Sequence, residues 1–239
     1  MRVIVTSGGT SEPIDQVRKI TNHSTGALGK LITEKLLSAG HEVVLVTTIN
    51  AVKPNKHKNL ITMILETTAE LAHCLAEEVP KSQAIVHAMA VSDYAPQAMI
   101  DLEDFIKLVR DNADLKTIAN QSKKVSSKAE QQVILLNQNP KIIQQIKAWQ
   151  PQILLIGFKL LVDVSDAELI EAAQKSIIKN HADYILANDL TQISPNQHIG
   201  FMVGKDQVER VETKQEISEL ILQKIGDIAY ENDCSSSNR

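Results

Sequence analysis

The sequence predicts a Rossmann-like α/β fold, with a doubly wound, mostly parallel sheet, helices on both faces and a C-terminal β-hairpin. Continuous apolar runs, typical of strands buried on both faces, alternate with segments of helical period. Two short runs separated by residues 204–207 are typical of a hairpin. The strands are predicted at residues 2–6, 42–48, 59–65, 84–91, 133–136, 153–158, 184–187, 199–203 and 208–212.

Helical periodicity predicts helices between these strands. The first is predicted to start near Ser24 or Thr25, because both residues favour N-cap positions, and to run to Gly40. Further helices are predicted at residues 67–79, 140–149, 166–180 and 216–230. The 239 residues are predicted to form one domain over residues 1–230, with a partly helical insertion at 97–132 and a disordered tail at 231–239.

Charge and composition exclude several functional classes. A net charge of −4 and an aromatic content of 3% argue against a general nucleic-acid binder. No apolar run is long enough to cross a bilayer and no signal peptide is visible, so we predict no membrane partner and a cytoplasmic location. Cys74 and Cys234 lie far apart without metal-ligand spacing, so we predict no metal centre built from protein ligands.

The loop after the first strand contains Gly8 and Gly9, where dinucleotide-binding proteins place a glycine-rich turn. Glycines there let backbone N–H groups approach a phosphate, although a tight turn without a ligand is an equal alternative. The pattern is not GxGxxG with a helix directly behind it, and no acidic ribose-binding residue follows the second strand. A nicotinamide- or flavin-dependent oxidoreductase is therefore the weaker interpretation of this loop.

The polar segment from Ser7 to Gly29 carries a more specific pattern. It closely resembles the signature of phosphopantothenate–cysteine ligases, approximately SGGTxEPIDxVRxISNHSSGxxG, and weaker similarity extends to about residue 225. Only the ligase domain of this family is represented. Many bacterial members fuse that domain to a flavin-dependent decarboxylase, for which these 239 residues leave no room. The resemblance therefore implies a free-standing ligase form.

The resemblance implies a two-step reaction with 4′-phosphopantothenate, L-cysteine and a nucleoside triphosphate. The pantothenate carboxylate is activated as an acyl-nucleotide with release of pyrophosphate, and the cysteine amine then displaces the nucleoside monophosphate. Asn22 and Arg18 are the implied catalytic and substrate-binding residues, and Ser24 and Gly26 are further substrate contacts. The alternative interpretations are a helix-start role for Asn22 and simple coverage of the loop by Arg18.

The loop after the fourth strand resembles the AAVADY segment that lies against the nucleotide in this family. Ala88, Met89 and Asp93 are the implied contacts, with Asp93 suited to base or ribose hydroxyls or to a magnesium water shell. An Asx-turn before Pro96 is the alternative for Asp93. His87, next to this segment, is interpreted as a buried or sheet-edge histidine rather than a catalyst.

Other nucleotide contacts are implied downstream. Lys124 matches the first lysine of a family KIKK motif whose last two lysines are serines here, and Lys159 is the candidate replacement for the missing charge. Phe158 matches a residue that packs against the base, with plain core packing as the alternative. The remaining implied contacts are Pro140, Lys141, Ile142 and Ile143, in a segment resembling NPDI at a helix N-terminus, and the lysines Lys175 and Lys179.

The resemblance also implies CTP as the favoured nucleotide, with ATP as the alternative, together with Mg²⁺ and a homodimer. Residues 97–132 are hypothesised to act as a lid that orders over the bound triphosphate. A non-catalytic nucleotide-binding module is the remaining alternative, and the presence of both Asn22 and Arg18 argues against it.

Overall fold

The computed structural model describes residues 1–119 and 129–236, with only the backbone described from residue 228 onward. Lys124 and the rest of residues 120–128, which belong to the predicted insertion, therefore lie outside the described residues. The strands, in chain order, are β1 (Arg2–Ser7), β2 (Ser11–Pro13), β3 (Lys19–Thr21), β4 (Glu42–Thr47), β5 (Leu60–Ile64), β6 (Ala84–His87), β7 (Tyr94–Asp101), β8 (Gln132–Gln138), β9 (Leu154–Leu161), β10 (Tyr184–Ile193), β11 (His198–Val203) and β12 (Val208–Val211).

Eight of these strands form the central sheet, in the order β12-β11-β10-β9-β6-β1-β4-β5. The strands from β10 to β5 pair in parallel, whereas β11 and β12 are antiparallel additions at one edge. The predicted α/β fold with a C-terminal hairpin is confirmed. Because the parallel strands point the same way, the loops after β1, β6 and β9 lie together beyond the carboxyl ends of the strands.

The helices cover both faces of the sheet, and none in the described part of the chain is long and apolar enough to cross a membrane. In β1, Val3 packs with Ile32 and Ile217 on one face, whereas the next residue, Ile4, packs with Leu71 on the other. This alternation follows from the two-residue period of a strand. The helices are α1 (Ala27–Ser38), α2 (Thr68–Glu78), α3 (Leu102–Arg110), α4 (Ile143–Trp149), α5 (Asp166–Asn180) and α6 (Lys214–Ser236).

The first helix begins close to the predicted position, but its N-cap is neither Ser24 nor Thr25. Helix α1 begins at Ala27, and its N-cap is Gly26 in the left-handed conformation, with φ of 75°. A Cβ atom on Gly26 would stand 2.8 Å from the Cβ of Ala51, so both space and conformation require glycine here. Serine and threonine strongly disfavour that conformation, so neither Ser24 nor Thr25 takes the N-cap position. The Thr25 hydroxyl nevertheless accepts the N–H of Ala27, the first helical residue, at 3.3 Å.

Other observed boundaries also differ from the predicted ones. Helix α4 begins at Ile143 rather than at Pro140, and α6 continues to Ser236, beyond the end predicted at Tyr230. Strand β6 stops at His87 rather than at residue 91, because the N–H of Met89 leaves the ladder and donates to the Thr6 hydroxyl at 3.1 Å. The ladder is therefore interrupted at this point, and Ala90 then forms an isolated parallel bridge with Gly9.

The strand predicted at residues 133–136 exists, but it does not join the central sheet. It belongs to β8, which forms a separate antiparallel ribbon with β7, a strand that was not predicted. Helix α3 follows β7 directly within the predicted insertion. The ribbon is held next to the central sheet by the segments that connect it to β6 and α4.

Candidate active site

Two adjoining cavities open beyond the carboxyl ends of β1, β6 and β9. The smaller, of about 470 Å³, lies between the loop after β6, the start of α4, the end of β9 and helix α5. The larger, of about 960 Å³, lies between the loop after β1, the start of α1 and the end of β10. Met89 and Phe158 line both cavities, so the two spaces share a wall.

Most of the predicted nucleotide contacts lie together in the smaller cavity. They come from four segments that are distant in sequence. Parallel strand pairing brings these segments together near the carboxyl ends of the strands. This convergence could not be derived from local sequence. The predicted residues that line the smaller cavity are Met89, Asp93, Pro140, Lys141, Ile142, Ile143, Phe158, Lys159, Lys175 and Lys179.

The charges of the smaller cavity are mostly positive. Lys159 is half-buried at the end of β9, whereas Lys175 and Lys179 are exposed on α5. Lys175 pairs with Glu171 one helical turn earlier, at 2.5 Å. Asp93 is the carboxylate among the described lining residues, and it forms an ion pair with Lys141. The cavity is therefore suited to an anion, with one carboxylate available to a cation.

Hydrogen bonds to its backbone groups hold the loop that carries Asp93. The Asn139 side chain donates to the Ser92 carbonyl at 3.0 Å, and the Asn139 N–H donates to the Asp93 carbonyl at 2.8 Å. On the other side, the Ser92 N–H donates to the buried Thr10 hydroxyl at 2.8 Å. The loop after β6 is thus fastened both to the start of α4 and to the loop after β1.

The predicted substrate-binding residues Asn22, Ser24 and Gly26 line the larger cavity. Gly8, Gly9 and Ala88, which were predicted to contact the nucleotide, lie in this cavity as well and do not line the smaller one. The far end of the larger cavity is lined by residues that the sequence analysis did not identify as functional. These are Leu190, Ile193, Ser194, Pro195, His198 and Lys214.

Asn22 lies close to the wall between the cavities. Its side-chain amide donates to the carbonyl of Ala90 at 3.5 Å, and Ala90 directly follows the shared residue Met89. The Ala90 N–H donates to the Gly8 carbonyl at 2.9 Å. The Asn22 side chain therefore lines the larger cavity and contacts the residue that follows the shared wall residue Met89.

The segment before Asn22 forms a small hairpin of β2 and β3 that was not predicted. Its base is held by Glu12, whose buried carboxylate accepts from the Thr68 N–H at 2.9 Å and from the Thr68 hydroxyl at 2.6 Å. Ser11 and Thr21 link the two strands through their hydroxyl groups at 2.9 Å. The polar residues of the signature thus fasten the hairpin to helix α2.

Arg18 lies at the far end of this hairpin and is not among the described residues that line the two cavities. Its guanidinium donates to the Asp15 carboxylate at 2.6 Å, and the other oxygen of Asp15 accepts from the Arg18 N–H at 2.8 Å. The structure therefore brings Asn22 to the cavities but separates it from Arg18.

Two buried histidines border the cavities. Burial lowers the pKa of His87 in the smaller cavity to about 4. Burial, with a smaller contribution from Lys214, lowers the pKa of His198 in the larger cavity to about 4. The His198 Nε2 atom lies 3.2 Å from the Asn188 amide nitrogen. Both histidines are therefore neutral at pH 7.

Comparison with known proteins identifies the family. Residues 1–107 and 103–229 match the model of the DNA/pantothenate metabolism flavoprotein C-terminal domain. The chain belongs to this family. Its sequence is 34% identical over 228 residues to the coenzyme A biosynthesis bifunctional protein CoaBC of Thermococcus kodakarensis, and 27% identical over 227 residues to that of Methanocaldococcus jannaschii. The match covers 94% of this chain and 50% of each relative, so the chain spans about half the length of these relatives.

Solved structures of this family share the fold. The DNA/pantothenate metabolism flavoprotein from Streptococcus pneumoniae is 52% identical with a TM-score of 0.89, covering 95% of this chain and 99% of that one. The C-terminal domain of a CoaBC protein is 26% identical with a TM-score of 0.70, covering 96% of each chain. A Cab2 mutant in complex with phosphopantothenate-cysteine, 17% identical with a TM-score of 0.72 over 97% of this chain and 88% of that one, shows a similar fold.

Proposed function

We propose that this protein is a phosphopantothenate–cysteine ligase, which joins L-cysteine to 4′-phosphopantothenate and consumes a nucleoside triphosphate. The observation that supports this most directly is the shared wall of Met89 and Phe158 between two cavities, with the Asn22 amide beside it. A reaction between a nucleotide and a second substrate needs two such spaces that meet at the reacting atoms. The CoaBC relatives are named for coenzyme A biosynthesis, which agrees with this assignment.

The smaller cavity is assigned to the nucleoside triphosphate. Its lysines can bind phosphate oxygens, and its volume of about 470 Å³ is in the range of small-ligand sites. Mg²⁺ is usually coordinated by one or two protein carboxylates, while the phosphates and water supply its other ligands. Asp93 can serve as that carboxylate, once its ion pair with Lys141 is exchanged for contacts with the nucleotide.

The larger cavity is assigned to 4′-phosphopantothenate. In the first step, a carboxylate oxygen of this substrate attacks the α-phosphorus of the triphosphate, and the bond to pyrophosphate breaks. In the second step, the cysteine amine attacks the acyl carbon, the nucleoside monophosphate leaves with the bonding electron pair, and the amine loses a proton. The Asn22 amide can donate to the carboxylate oxygen that does not attack in the first step, which orients the nucleophile, and to the acyl oxygen in the second step, where negative charge develops.

CTP is the nucleotide that we propose, with ATP as the alternative to be tested beside it. For Arg18 to serve the cysteine step, its ion pair with Asp15 must open, or the cysteine must approach from outside the two cavities. Lys124 is retained as a proposed triphosphate contact from outside the described residues.

The test is pyrophosphate release by purified protein with 4′-phosphopantothenate, L-cysteine and Mg²⁺, with CTP and ATP compared. We expect release that requires phosphopantothenate and falls at least roughly a hundredfold in Asn22→Ala. The matched control is Asn55→Ala, an exposed asparagine that lines neither cavity. Folded wild-type protein that releases no pyrophosphate with either nucleotide would contradict the ligase assignment.

A further inference from the structure

His87 is the last residue of β6 and forms part of the floor of the smaller cavity. Only 7% of its surface is exposed, and its backbone lies between Thr6 of β1 and Gly157 of β9. The imidazole Nδ1 lies 3.0 Å from the Thr6 hydroxyl oxygen. Within the described part of the chain nothing bonds Nε2, and that atom is not sealed off from the cavity.

The hydrogen bonds of Thr6 favour one tautomer of the imidazole. The Thr6 oxygen accepts the N–H of Met89 at 3.1 Å, and its single hydrogen has His87 Nδ1 as its acceptor among the described residues. A neutral imidazole has one donor and one acceptor nitrogen. The arrangement that gives the Thr6 hydroxyl hydrogen an acceptor has Nδ1 accepting, which places the proton of the neutral ring on Nε2, on a residue that lines the cavity.

The surroundings of this N–H differ from those at the cavity mouth. Beside His87, the floor is formed by the buried residues Met89 and Ile142. The cations Lys175 and Lys179 are exposed at the rim. A triphosphate is strongly hydrated and belongs at the cationic rim, whereas a planar base can enter an apolar floor and satisfy a single buried polar group.

We propose that His87 is a specificity-determining residue that donates a hydrogen bond from Nε2 to an acceptor atom of the nucleobase. Thr6 is the positioning residue that keeps the imidazole in the required tautomer. This inference rests on the proposed function, because it takes the smaller cavity as the nucleotide site. The same geometry disfavours bases that place a hydrogen-bond donor opposite Nε2, because two donors cannot form a hydrogen bond with each other.

The test is calorimetric titration of the full chain with Mg²⁺ and CTP or ATP, followed by the monophosphate of whichever nucleotide binds. His87→Leu removes the donor at similar volume, whereas His87→Gln retains an N–H at about the same reach without any charge. We expect His87→Leu to weaken binding of the triphosphate and of the monophosphate by the same factor, at least roughly tenfold. His87→Gln is expected to stay within about threefold of wild type.

A second pair of variants tests the tautomer and remains informative if His87→Leu does not fold. Thr6→Val removes the hydroxyl and is expected to weaken nucleotide binding, whereas Thr6→Ser keeps the hydroxyl and the affinity. Unchanged affinity in both His87→Leu and Thr6→Val overturns the inference. A loss confined to the triphosphate also overturns it, because the donor then contacts a phosphate. Wild-type protein that binds neither CTP nor ATP overturns the proposed function itself.

Discussion

The carbonyl oxygen of Asn22 lies 2.5 Å from the point where a Cβ atom on Gly9 would stand. The loop after β1 and the segment that carries Asn22 therefore touch through backbone atoms, with no room for a side chain between them. The contact holds the Asn22 backbone against the loop after β1, and the Asn22 side chain donates to Ala90 in the loop after β6. The requirement for glycine at this position thus comes from the position of Asn22.

Gly9→Ala is expected to displace Asn22 and to reduce stability by about 1–3 kcal/mol, because backbone atoms cannot move aside as a flexible side chain can. Pyrophosphate release should fall at least roughly tenfold, since small displacements at a reacting centre have large effects. The control is Gly226→Ala in α6, where a new Cβ meets no atom within 4 Å, so stability should rise by up to about 1 kcal/mol. Wild-type activity in Gly9→Ala would contradict the positioning role.

Asp93→Asn should raise the KM for the triphosphate roughly tenfold or more, because a carboxylate that can bind Mg²⁺ or nucleotide hydroxyls becomes neutral. Stability should change by less than about 1 kcal/mol, since the ion pair of Asp93 with Lys141 is largely exposed. Asp104→Asn is the matched control, because Asp104 also pairs with a lysine, Lys107, but lines neither cavity. Equal kinetics in the two variants would argue against a nucleotide role for Asp93.

Lys159→Ala should weaken triphosphate binding by roughly 10- to 100-fold through loss of a charge-assisted contact. The difference from wild type should shrink as salt is added, because ions screen this attraction. Lys30→Ala removes a lysine that pairs with Glu34 on α1, away from the smaller cavity, and should leave binding unchanged. A loss that is the same at every salt concentration would indicate a packing role for Lys159 instead.

Stability should fall as the pH is lowered from about 6.5 to about 4. The unfolded imidazole binds a proton near pH 6.5, whereas folded His87 and His198 do so only near 4, so the unfolded chain binds more protons between these values. His41, whose pKa burial also lowers, acts in the same direction. The slope for one fully buried histidine is at most about 1.4 kcal/mol per pH unit.

Urea unfolding measured at half-unit pH steps checks this prediction. His87→Gln should flatten the slope between pH 6.5 and 4, because glutamine does not titrate. Hydrogen bonds from the Val164 N–H and from Thr191 lower the pKa of the Asp189 carboxyl to about 2, so its stabilisation is lost only below about pH 4. An identical slope in wild type and His87→Gln would contradict the prediction.

Elements with strong local signals were predicted well. Helix α5 has its predicted bounds, because Ser165 and Glu168 form a capping box at its start. Strand β7 was missed, since its segment carries few strong apolar residues and its pairing with β8 is not local. The small β2–β3 hairpin was read as loop, because its strands are short and held mainly by polar side chains.

The candidate site was also predicted where the signal is local and missed where it depends on distant segments. The signature marked Asn22, Ser24 and Gly26 as neighbours, and they line one cavity. It also paired Asn22 with Arg18, but the hairpin directs Arg18 to Asp15 instead. His87 was interpreted as a buried or sheet-edge histidine, and the structure confirms that it is buried. Its place in a cavity floor depends on segments distant in sequence that line the same cavity.

The sequence by itself determined the alternation of strands and helices, the family signature and the residue types available for catalysis. These properties depend on backbone preferences and side-chain periods that act over a few residues. Only the tertiary structure decided that the contacts assigned to the nucleotide divide between two cavities, that Met89 and Phe158 form their shared wall, and that Asn22 lies beside it. The reason is that strand order and register join segments far apart in the chain, and no local preference specifies which segments meet.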